Sequence, residues 1–340
     1  MNILIVGNLG YVGFVLSKFL KENLVDCKLT GFDANFFNHS NDKNIDHQLF
    51  GDVRSFDEEI LNSIDVVVYL AAISNDPMGN KFEIPTLSIN CNSAYKLALY
   101  SKNKNVRHFI FASSCSVYGL DDGNLKSETS EVNPLTTYAK SKIEAEKLLY
   151  KLHDINFLIT NLRFATATGY STNMRLDLVL NDFVASAITD NKIEILSNGK
   201  PFRPLIHLQD MSRAIYWSSK RNINQGGSYL IMNVGSNEMN FRVIDLANNI
   251  KKKIPNLNIE VNHKANDDKR SYQVDFSMYK NLAKNYLPKF DLDKIIDDLI
   301  YNLTKMRNLH KFRESSYIRL NVLNKLISLK KLSNNLEWMN

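Results

Sequence analysis

The stretch Gly7-Asn8-Leu9-Gly10-Tyr11-Val12-Gly13 decides the fold, because it follows a short apolar run and opens an amphipathic helical pattern. The first glycine permits a tight turn, the second lets the backbone approach a pyrophosphate, and the third lets helix and strand pack closely. Free N–H groups and the helix dipole then face an anion. The GxxGxxG spacing between a strand and a helix therefore predicts a dinucleotide-binding turn that contains Gly7, Gly10, Tyr11, Val12 and Gly13.

Residues at the ends of the following strands fit the same ligand. Asp33 lies twenty residues after Gly13, where a carboxylate accepts hydrogen bonds from both hydroxyls of an adenosine ribose. Its charge would repel a 2′-phosphate, so NAD is favoured over NADP. Asp52 and Val53 are expected at the adenine edge, and the stretch Leu70-Ala71-Ala72 is expected to leave room for the dinucleotide.

Short apolar runs alternate with helical patterns through the first half of the chain. This alternation indicates right-handed βαβ units, and hence a parallel sheet with helices on both faces. The predicted fold is α/β: a doubly wound, Rossmann-like parallel sheet with a smaller C-terminal α/β domain that binds the substrate. The predicted strands are residues 3–6, 28–32, 66–70, 108–112 and 157–162.

The chain divides into three predicted regions: a dinucleotide-binding domain (1–165), a substrate-binding domain (166–300) and a basic helical tail (301–340). Segments near 200–235 are expected to rejoin the first domain. Helices are predicted at about residues 134–150, 175–187 and 241–252.

The tail has an amphipathic pattern. Ile318, Val322, Leu326 and Leu329 share one helical face, which Leu320, Leu323 and Ile327 widen. We expect the tail helix to pack on its own chain or on a second subunit. Contact with a membrane surface or an acidic partner is the alternative.

Composition narrows the class of protein. The formal net charge is +6 over 340 residues, which suits an anionic small molecule better than a nucleic acid. Three cysteines at unrelated spacings, Cys27, Cys91 and Cys115, argue against a disulfide framework or a metal site and for a reducing cytosol. No run reaches the roughly 20 apolar residues that cross a bilayer, and the N-terminal run is too short for a signal peptide, so a soluble cytoplasmic protein is expected.

Tyr138 and Lys142 are four residues apart in a predicted helix and so share a face. A phenol titrates at about pH 10, so its use as a base near neutrality needs a positive neighbour, and Lys142 together with an oxidised nicotinamide is expected to supply that charge. Ser114 follows the strand predicted at 108–112. At this edge of an open α/β sheet its hydroxyl is expected to bond the substrate oxygen.

Together these motifs resemble the nucleotide-sugar epimerase/dehydratase branch of the extended short-chain dehydrogenase/reductase superfamily, over about residues 1–300. The resemblance rests on the glycine turn and on three later segments in the family's order. These are Ser113-Ser114-Cys115-Ser116-Val117-Tyr118-Gly119, the Tyr138 to Lys142 spacing, and Arg203-Pro204-Leu205-Ile206-His207-Leu208-Gln209-Asp210.

The resemblance implies residue roles. Ser114, Tyr138 and Lys142 would be catalytic, and Tyr138 and Lys142 would also contact the cofactor, Lys142 at the nicotinamide ribose. Arg203 and Arg270 would bind the substrate diphosphate, and the chain would form a homodimer through helices beside Tyr138. Thr166 stands where the family often has an asparagine that contacts the diphosphate. Arg175 and Asp177 are expected to contact the sugar or the nucleotide.

Two positions depart from relatives with other reactions. Members that eliminate water across C5 and C6 have an Asp-Glu pair where this chain has Cys115 and Ser116, so a 4,6-dehydratase is not expected. The acid/base cysteine of 3,5-epimerising members lies one residue further on than Cys115. We therefore interpret Cys115 as a small buried residue.

These observations predict an NAD-dependent epimerase that transfers a hydride at C4 of a nucleotide sugar through a keto intermediate. A nucleotide-sugar 4-dehydrogenase or 4-ketoreductase is the alternative, because it would use the same residues. A sensor or scaffold that binds NAD without turnover is a further alternative, and the complete Ser-Tyr-Lys set argues against it.

Overall fold

The computed structural model describes residues 1–37, 42–119, 123–265 and 271–339. The strands in these ranges are β1 (Asn2–Val6), β2 (Lys28–Asp33), β3 (His47–Phe50), β4 (Val66–Tyr69), β5 (His108–Ser114), β6 (Leu158–Phe164), β7 (Thr166–Thr168), β8 (Lys192–Ile195), β9 (Phe202–His207), β10 (Tyr229–Val234), β11 (Asn240–Arg242) and β12 (Asn258–Val261). The α-helices there are α1 (Tyr11–Asn23), α2 (Asp76–Lys81), α3 (Glu83–Leu87), α4 (Ala94–Asn103), α5 (Thr137–Leu149), α6 (Val179–Asp190), α7 (Leu208–Ser218), α8 (Val243–Lys253), α9 (Ser277–Leu282), α10 (Leu292–Leu303) and α11 (Arg319–Ser328).

The large sheet has seven parallel strands in the order β10-β6-β5-β4-β1-β2-β3. The strand order reverses between β1 and β4, and β1 pairs with β2 on one side and β4 on the other. Ligands of open α/β sheets bind at the carboxyl ends of the strands beside such a reversal. The doubly wound parallel sheet predicted from the sequence is confirmed.

Both faces of this sheet are covered. In β1, Ile3 and Ile5 belong to one apolar core, whereas Leu4 belongs to the core on the opposite face. The first core includes apolar side chains of α1 and α7, and the second includes side chains of α4 and α5. Burial on both faces explains why the strands have continuous apolar sequences instead of an alternating pattern.

The remaining strands form two small sheets, β11-β9-β7 and β12-β8, near α6, α8 and α10. Helix α10 runs through the boundary predicted at residue 300. Its Ile296, Leu299 and Leu303 side chains form one buried apolar face, and this face extends the helix past residue 300 to Leu303.

Three predicted helix starts were wrong. Helix α5 begins at Thr137 and not at residue 134, because the Thr136 hydroxyl accepts a hydrogen bond from Ala139 N and caps it. Helix α6 begins at Val179 and not at residue 175, since residues before it are held in a loop by side-chain bonds described below. Helix α8 begins at Val243 because residues 240–242 pair with β9 as a strand.

The tail packs on its own chain through the predicted apolar face, with the exception of Leu329. Leu323 is fully buried in the core shared with α4 and α5, with Leu320, Leu326 and Ile327 partly buried beside it. Leu329, predicted on the packed face, lies just after α11 and is 55% exposed. The helix ends one residue earlier, so Leu329 no longer continues its apolar stripe.

Within the described ranges, no helix is long and apolar enough to cross a membrane.

Replacing Leu323 with alanine is expected to lower the free energy of unfolding by about 2–5 kcal/mol, because the change leaves a cavity in a packed core. The matched change Leu329→Ala, at an exposed position, is expected to alter it by less than about 0.5 kcal/mol. Urea unfolding of both variants measures the difference. Equal effects would contradict this packing of the tail.

Candidate active site

The glycine turn joins β1 to α1 at the strand-order reversal. Gly7 has φ +88°, and a Cβ atom there would lie 2.6 Å from the backbone nitrogen of Ala71, so a larger residue would push β1 and β4 apart. A Cβ on Gly13 would collide with the backbone of Asn8. The turn is thus a shallow backbone cradle at the amino end of α1, which is the arrangement that admits a pyrophosphate.

A single cleft of about 1040 Å³ contains this turn and the carboxyl ends of β2, β4 and β5. Every described residue that the sequence predicted for the site lines it. The cofactor set is Gly7, Gly10, Tyr11, Val12, Gly13, Asp33, Asp52, Val53, Leu70, Ala71 and Ala72, together with Tyr138 and Lys142; the catalytic set is Ser114, Tyr138 and Lys142; and the substrate set is Thr166, Arg175, Asp177 and Arg203. Arg270 lies outside the described residues.

Asp33 is held at the end of β2 by backbone donors. Its carboxylate accepts hydrogen bonds from Leu9 N (3.0 Å) and Asn35 N (2.7 Å). Burial raises the pKa of Asp33. The carboxylate beside the glycine turn and the Cβ-free cradle fit the adenosine and pyrophosphate of NAD.

Two other predicted cofactor residues have side-chain partners within the protein. The Asp52 carboxylate is paired with the Arg54 guanidinium, with Nε 2.9 Å from Oδ1. The Tyr11 hydroxyl donates to Gly169 O at 2.6 Å and accepts from Asn181 at 2.8 Å. The Tyr11 side chain therefore links α1 to the loop before α6, and its backbone is the part available to a dinucleotide.

Tyr138 and Ser114 meet where β5 ends and α5 begins. Burial raises the pKa of Tyr138 to about 12, while a hydrogen bond with Ser114 and the positive charge of Arg175 act to lower it. The phenol therefore lies beside the hydroxyl that the sequence predicted to bond the substrate oxygen. Arg175 is a cation beside the phenol that the sequence had not placed there.

Lys142 lies one helical turn beyond Tyr138 and is almost fully buried. Its Nζ donates to Ala112 O at 2.7 Å and is 5.6 Å from the centre of the Tyr138 ring. Burial lowers the pKa of Lys142 to about 7, against the opposing charge of Glu146. In the structure the charge of Arg175 acts to lower the Tyr138 pKa. The role expected of Lys142 together with an oxidised nicotinamide stays a prediction.

A buried ion pair between Glu146 and Arg163 links α5 to the neighbouring strand β6. Glu146 lies one turn beyond Lys142 and receives two bonds from Arg163 of β6, at 3.0 Å and 2.7 Å, and one from Ser113 at 2.5 Å. Sequence reasoning missed this pair. The available signal was a glutamate four residues after Lys142, facing an arginine within an otherwise apolar strand.

Arg175 and Asp177 are bound to each other and both line the cleft, and their expected contacts with the sugar or the nucleotide stay predictions. The guanidinium Nε is 2.9 Å from Asp177 Oδ1, and Nη1 donates to Ser74 Oγ at 2.9 Å. Asn75 also donates to Asp177, at 2.8 Å. These bonds fix the loop that precedes α6 across the mouth of the cleft, which explains the late start of that helix.

Arg203 lies at the other end of the cleft, where its guanidinium is 6.0 Å from the centre of the Tyr272 ring. Thr166 lines the cleft at the start of β7. Arg203 and Thr166, which the sequence predicted to contact the substrate, thus both line the cleft. Their roles stay predictions.

Cys115 is buried, as predicted, and its sulfur is 3.1 Å from Arg163 O. Burial raises the pKa of its thiol far above the usual range. A thiol in this position is unsuited to acid/base chemistry. In the described part of the chain, no group of three or more His, Cys, Asp or Glu side chains is arranged to hold a metal ion.

Comparison with known proteins identifies the family. The family model described as NAD dependent epimerase/dehydratase family matches residues 3–235, well over half of the chain. The chain therefore belongs to the NAD-dependent epimerase/dehydratase family. The resemblance inferred from the sequence motifs is confirmed, as is NAD as the cofactor.

Individual relatives are distant. The chain is 28% identical to the uncharacterized protein MJ1055 of Methanocaldococcus jannaschii over 259 residues, which cover 70% of this chain and 76% of that protein. It is similar in structure to UDP-glucuronic acid 4-epimerase from Bacillus cereus, with a TM-score of 0.77, 22% identity and coverage of 89% and 100% of the two chains. It is also similar to UDP-N-acetylglucosamine 4-epimerase from Methanobrevibacter ruminantium, with a TM-score of 0.76, 22% identity and coverage of 90% and 99%. At these identities the structural likeness confirms the fold.

The low pKa of Lys142 is open to direct measurement by competitive labelling with acetic anhydride and mass spectrometry. An amine reacts only when it has lost its proton, so Lys142 is expected to reach half of its maximal reactivity near pH 7, below the ~10.4 of an ordinary lysine. Glu146→Gln removes the carboxylate that opposes this shift and is expected to move the midpoint to lower pH. A midpoint near pH 10 in the unaltered chain would contradict the burial argument.

Proposed function

We propose that this protein is a nucleotide-sugar 4-epimerase that uses NAD without net consumption. The observation that carries the proposal is the single cleft in which Tyr138, Ser114 and Lys142 lie beside the glycine turn and Asp33. An acid/base group, a hydroxyl that steadies the reacting oxygen and a dinucleotide cradle are the parts that oxidation of a sugar hydroxyl needs.

NAD, when bound, supplies the hydride acceptor and donor for the sugar carbon. Tyr138, as phenolate, removes the proton from the C4 hydroxyl, and Ser114 bonds the same oxygen as it becomes a carbonyl. Arg175 stabilises the phenolate by its charge. Once the keto-sugar has presented its opposite face, return of the proton from Tyr138 to the oxygen would accompany return of the hydride to C4, which gives the C4 epimer.

The substrate end of the cleft fits a nucleotide diphosphate-sugar. Arg203 lines it, and a guanidinium binds phosphate oxygens in a bidentate manner. The two 4-epimerase structures compared above are named for UDP-sugar substrates, which supports the same substrate class for this chain.

The surroundings of Tyr138 favour 4-epimerisation over the other reactions of the family. Cys115 is buried and hydrogen-bonded to backbone, so it cannot serve as an acid/base group for C3 or C5. Ser116 faces the cleft where a dehydratase would place a carboxylate. A hydroxyl in that position is too weak an acid to assist elimination of water.

Incubation with UDP-, GDP- and dTDP-sugars is expected to interconvert one pair of C4 epimers with no rise in absorbance at the NADH band. Stoichiometric accumulation of NADH would indicate the 4-dehydrogenase alternative and contradict the epimerase.

Tyr138→Phe is expected to abolish turnover yet keep bound NAD, because the change removes only the phenolic oxygen. Turnover at the wild-type rate in that variant would exclude Tyr138 as the base.

Homodimerisation and a cytoplasmic location stay predictions. Exposed apolar side chains on and beside the helices near Tyr138 support a dimer interface there: Ile84 is 73% exposed and Tyr150 is 60% exposed.

A further inference from the structure

The last described segment, residues 317–338, forms an arm that crosses from the substrate side of the molecule to the cofactor side. At its start, Tyr317 O accepts a hydrogen bond from Leu176 N at 3.0 Å. At its end, Arg54 donates to Leu336 O at 2.8 Å, and the Trp338 indole donates to Ala34 O at 2.7 Å. Between these anchors, Leu323 is buried in the core of the cofactor domain. We call residues 317–338 the C-terminal arm.

The C-terminal arm forms part of the wall of the cofactor cleft. Its Ile318, Arg319 and Leu320 line the same cavity as Asp33 and the glycine turn. The residues that anchor its far end, Ala34 and Arg54, follow β2 and β3, where the adenosine end of a dinucleotide is expected.

Arg319 is the charged residue of the C-terminal arm that lines the cleft, and its exposed fraction is only 2%. Its Nη2 donates to Asn173 Oδ1 at 2.7 Å and to Asn173 O at 3.0 Å, and its Cζ lies 4.6 Å from the centre of the Phe37 ring. Asn173 Nδ2 in turn donates to Leu9 O in the glycine turn. The guanidinium is therefore tied, through one amide side chain, to the turn that binds pyrophosphate.

The charges around Arg319 leave it without a close counter-ion. Among the described residues, no carboxylate lies within 4.0 Å of its guanidinium. Asp177 is paired with Arg175. Burial and the charge of Arg175 lower the pKa of Arg319, and the more distant carboxylates of Asp177 and Asp33 oppose this shift only in part. Burial and the second cation disfavour the charge of Arg319, and an anion in the cleft would offset both effects.

We propose that Arg319 binds the diphosphate of the dinucleotide, so that the C-terminal arm holds the cofactor in its cleft. This inference rests on NAD binding in the proposed function, but it does not depend on which sugar is converted. A cofactor that is regenerated in each turnover is best retained between turnovers, and an arm anchored at both ends provides such retention.

Calorimetric titration of the full chain with ADP-ribose and with adenosine tests the proposal, because only ADP-ribose carries the diphosphate. Arg319→Gln is expected to weaken ADP-ribose binding by about 10-fold to 100-fold and to change adenosine binding by less than about threefold, as expected for loss of charge-assisted hydrogen bonds. Lys325→Gln, which removes an exposed charge from the same helix, is expected to leave both affinities unchanged.

The ratio of the two affinities separates a phosphate ligand from a purely structural residue. An unchanged ratio in Arg319→Gln, whether both affinities fall or neither does, would overturn the proposal. If that variant does not fold, Arg319→Lys replaces it. Lysine keeps the charge but lacks the planar guanidinium, so the ratio of ADP-ribose affinity to adenosine affinity is expected to fall by about threefold to tenfold. An unchanged ratio in Arg319→Lys would also overturn the proposal. Failure of the unaltered chain to bind ADP-ribose would instead contradict the NAD site itself.

Discussion

The close approach of two backbones at the strand-order reversal is the constraint on which the rest of the structure depends. Gly7 has no Cβ because the backbone of Ala71 occupies that space, and its positive φ turns the chain directly from β1 into α1. The amino end of α1 then opens onto a cleft bounded by the ends of β2, β4 and β5. Any side chain at Gly7 would separate β1 from β4 and close this cradle.

The chemistry depends on a second constraint at the same edge, which is the burial of a charged helix face. Lys142 is bonded to Ala112 O, while Glu146 is held by Arg163 from the neighbouring strand. These bonds fix the rotation of α5, and with it the position of Tyr138 beside Ser114. Because the ion pair is satisfied within the protein, a ligand in the cleft meets a preorganised phenol and not a mobile one.

The features that could be predicted from the sequence are those set by local spacing. The glycine turn, Asp33 and the Tyr138–Lys142 helix each depend on residues within one strand–helix unit, and the structure places all of them in one cleft. What could not be predicted depends on distant partners. Arg175 was read as a ligand for the sugar, but its bonds to Asp177 and Ser74 also set the start of α6.

The tail shows the same limit. Its periodicity predicted an amphipathic helix with an apolar face, but not which residues of that face are buried most deeply. In the structure Leu323 enters the core, whereas Leu329 lies beyond the end of the helix and is exposed. The position of Arg319 at the cofactor cleft follows from contacts with residues more than 140 positions away. The spacing of residues within the tail therefore could not predict the position of Arg319.

The central claim is that the sugar is oxidised and reduced at C4 by hydride transfer within the cleft. A nucleotide sugar deuterated at C4 tests it most directly, with mass spectrometry and NMR of the product. The account predicts a C4 epimer that keeps its deuterium, because a hydride held within the cleft does not exchange with water. Epimerisation with loss of the deuterium to solvent would contradict it.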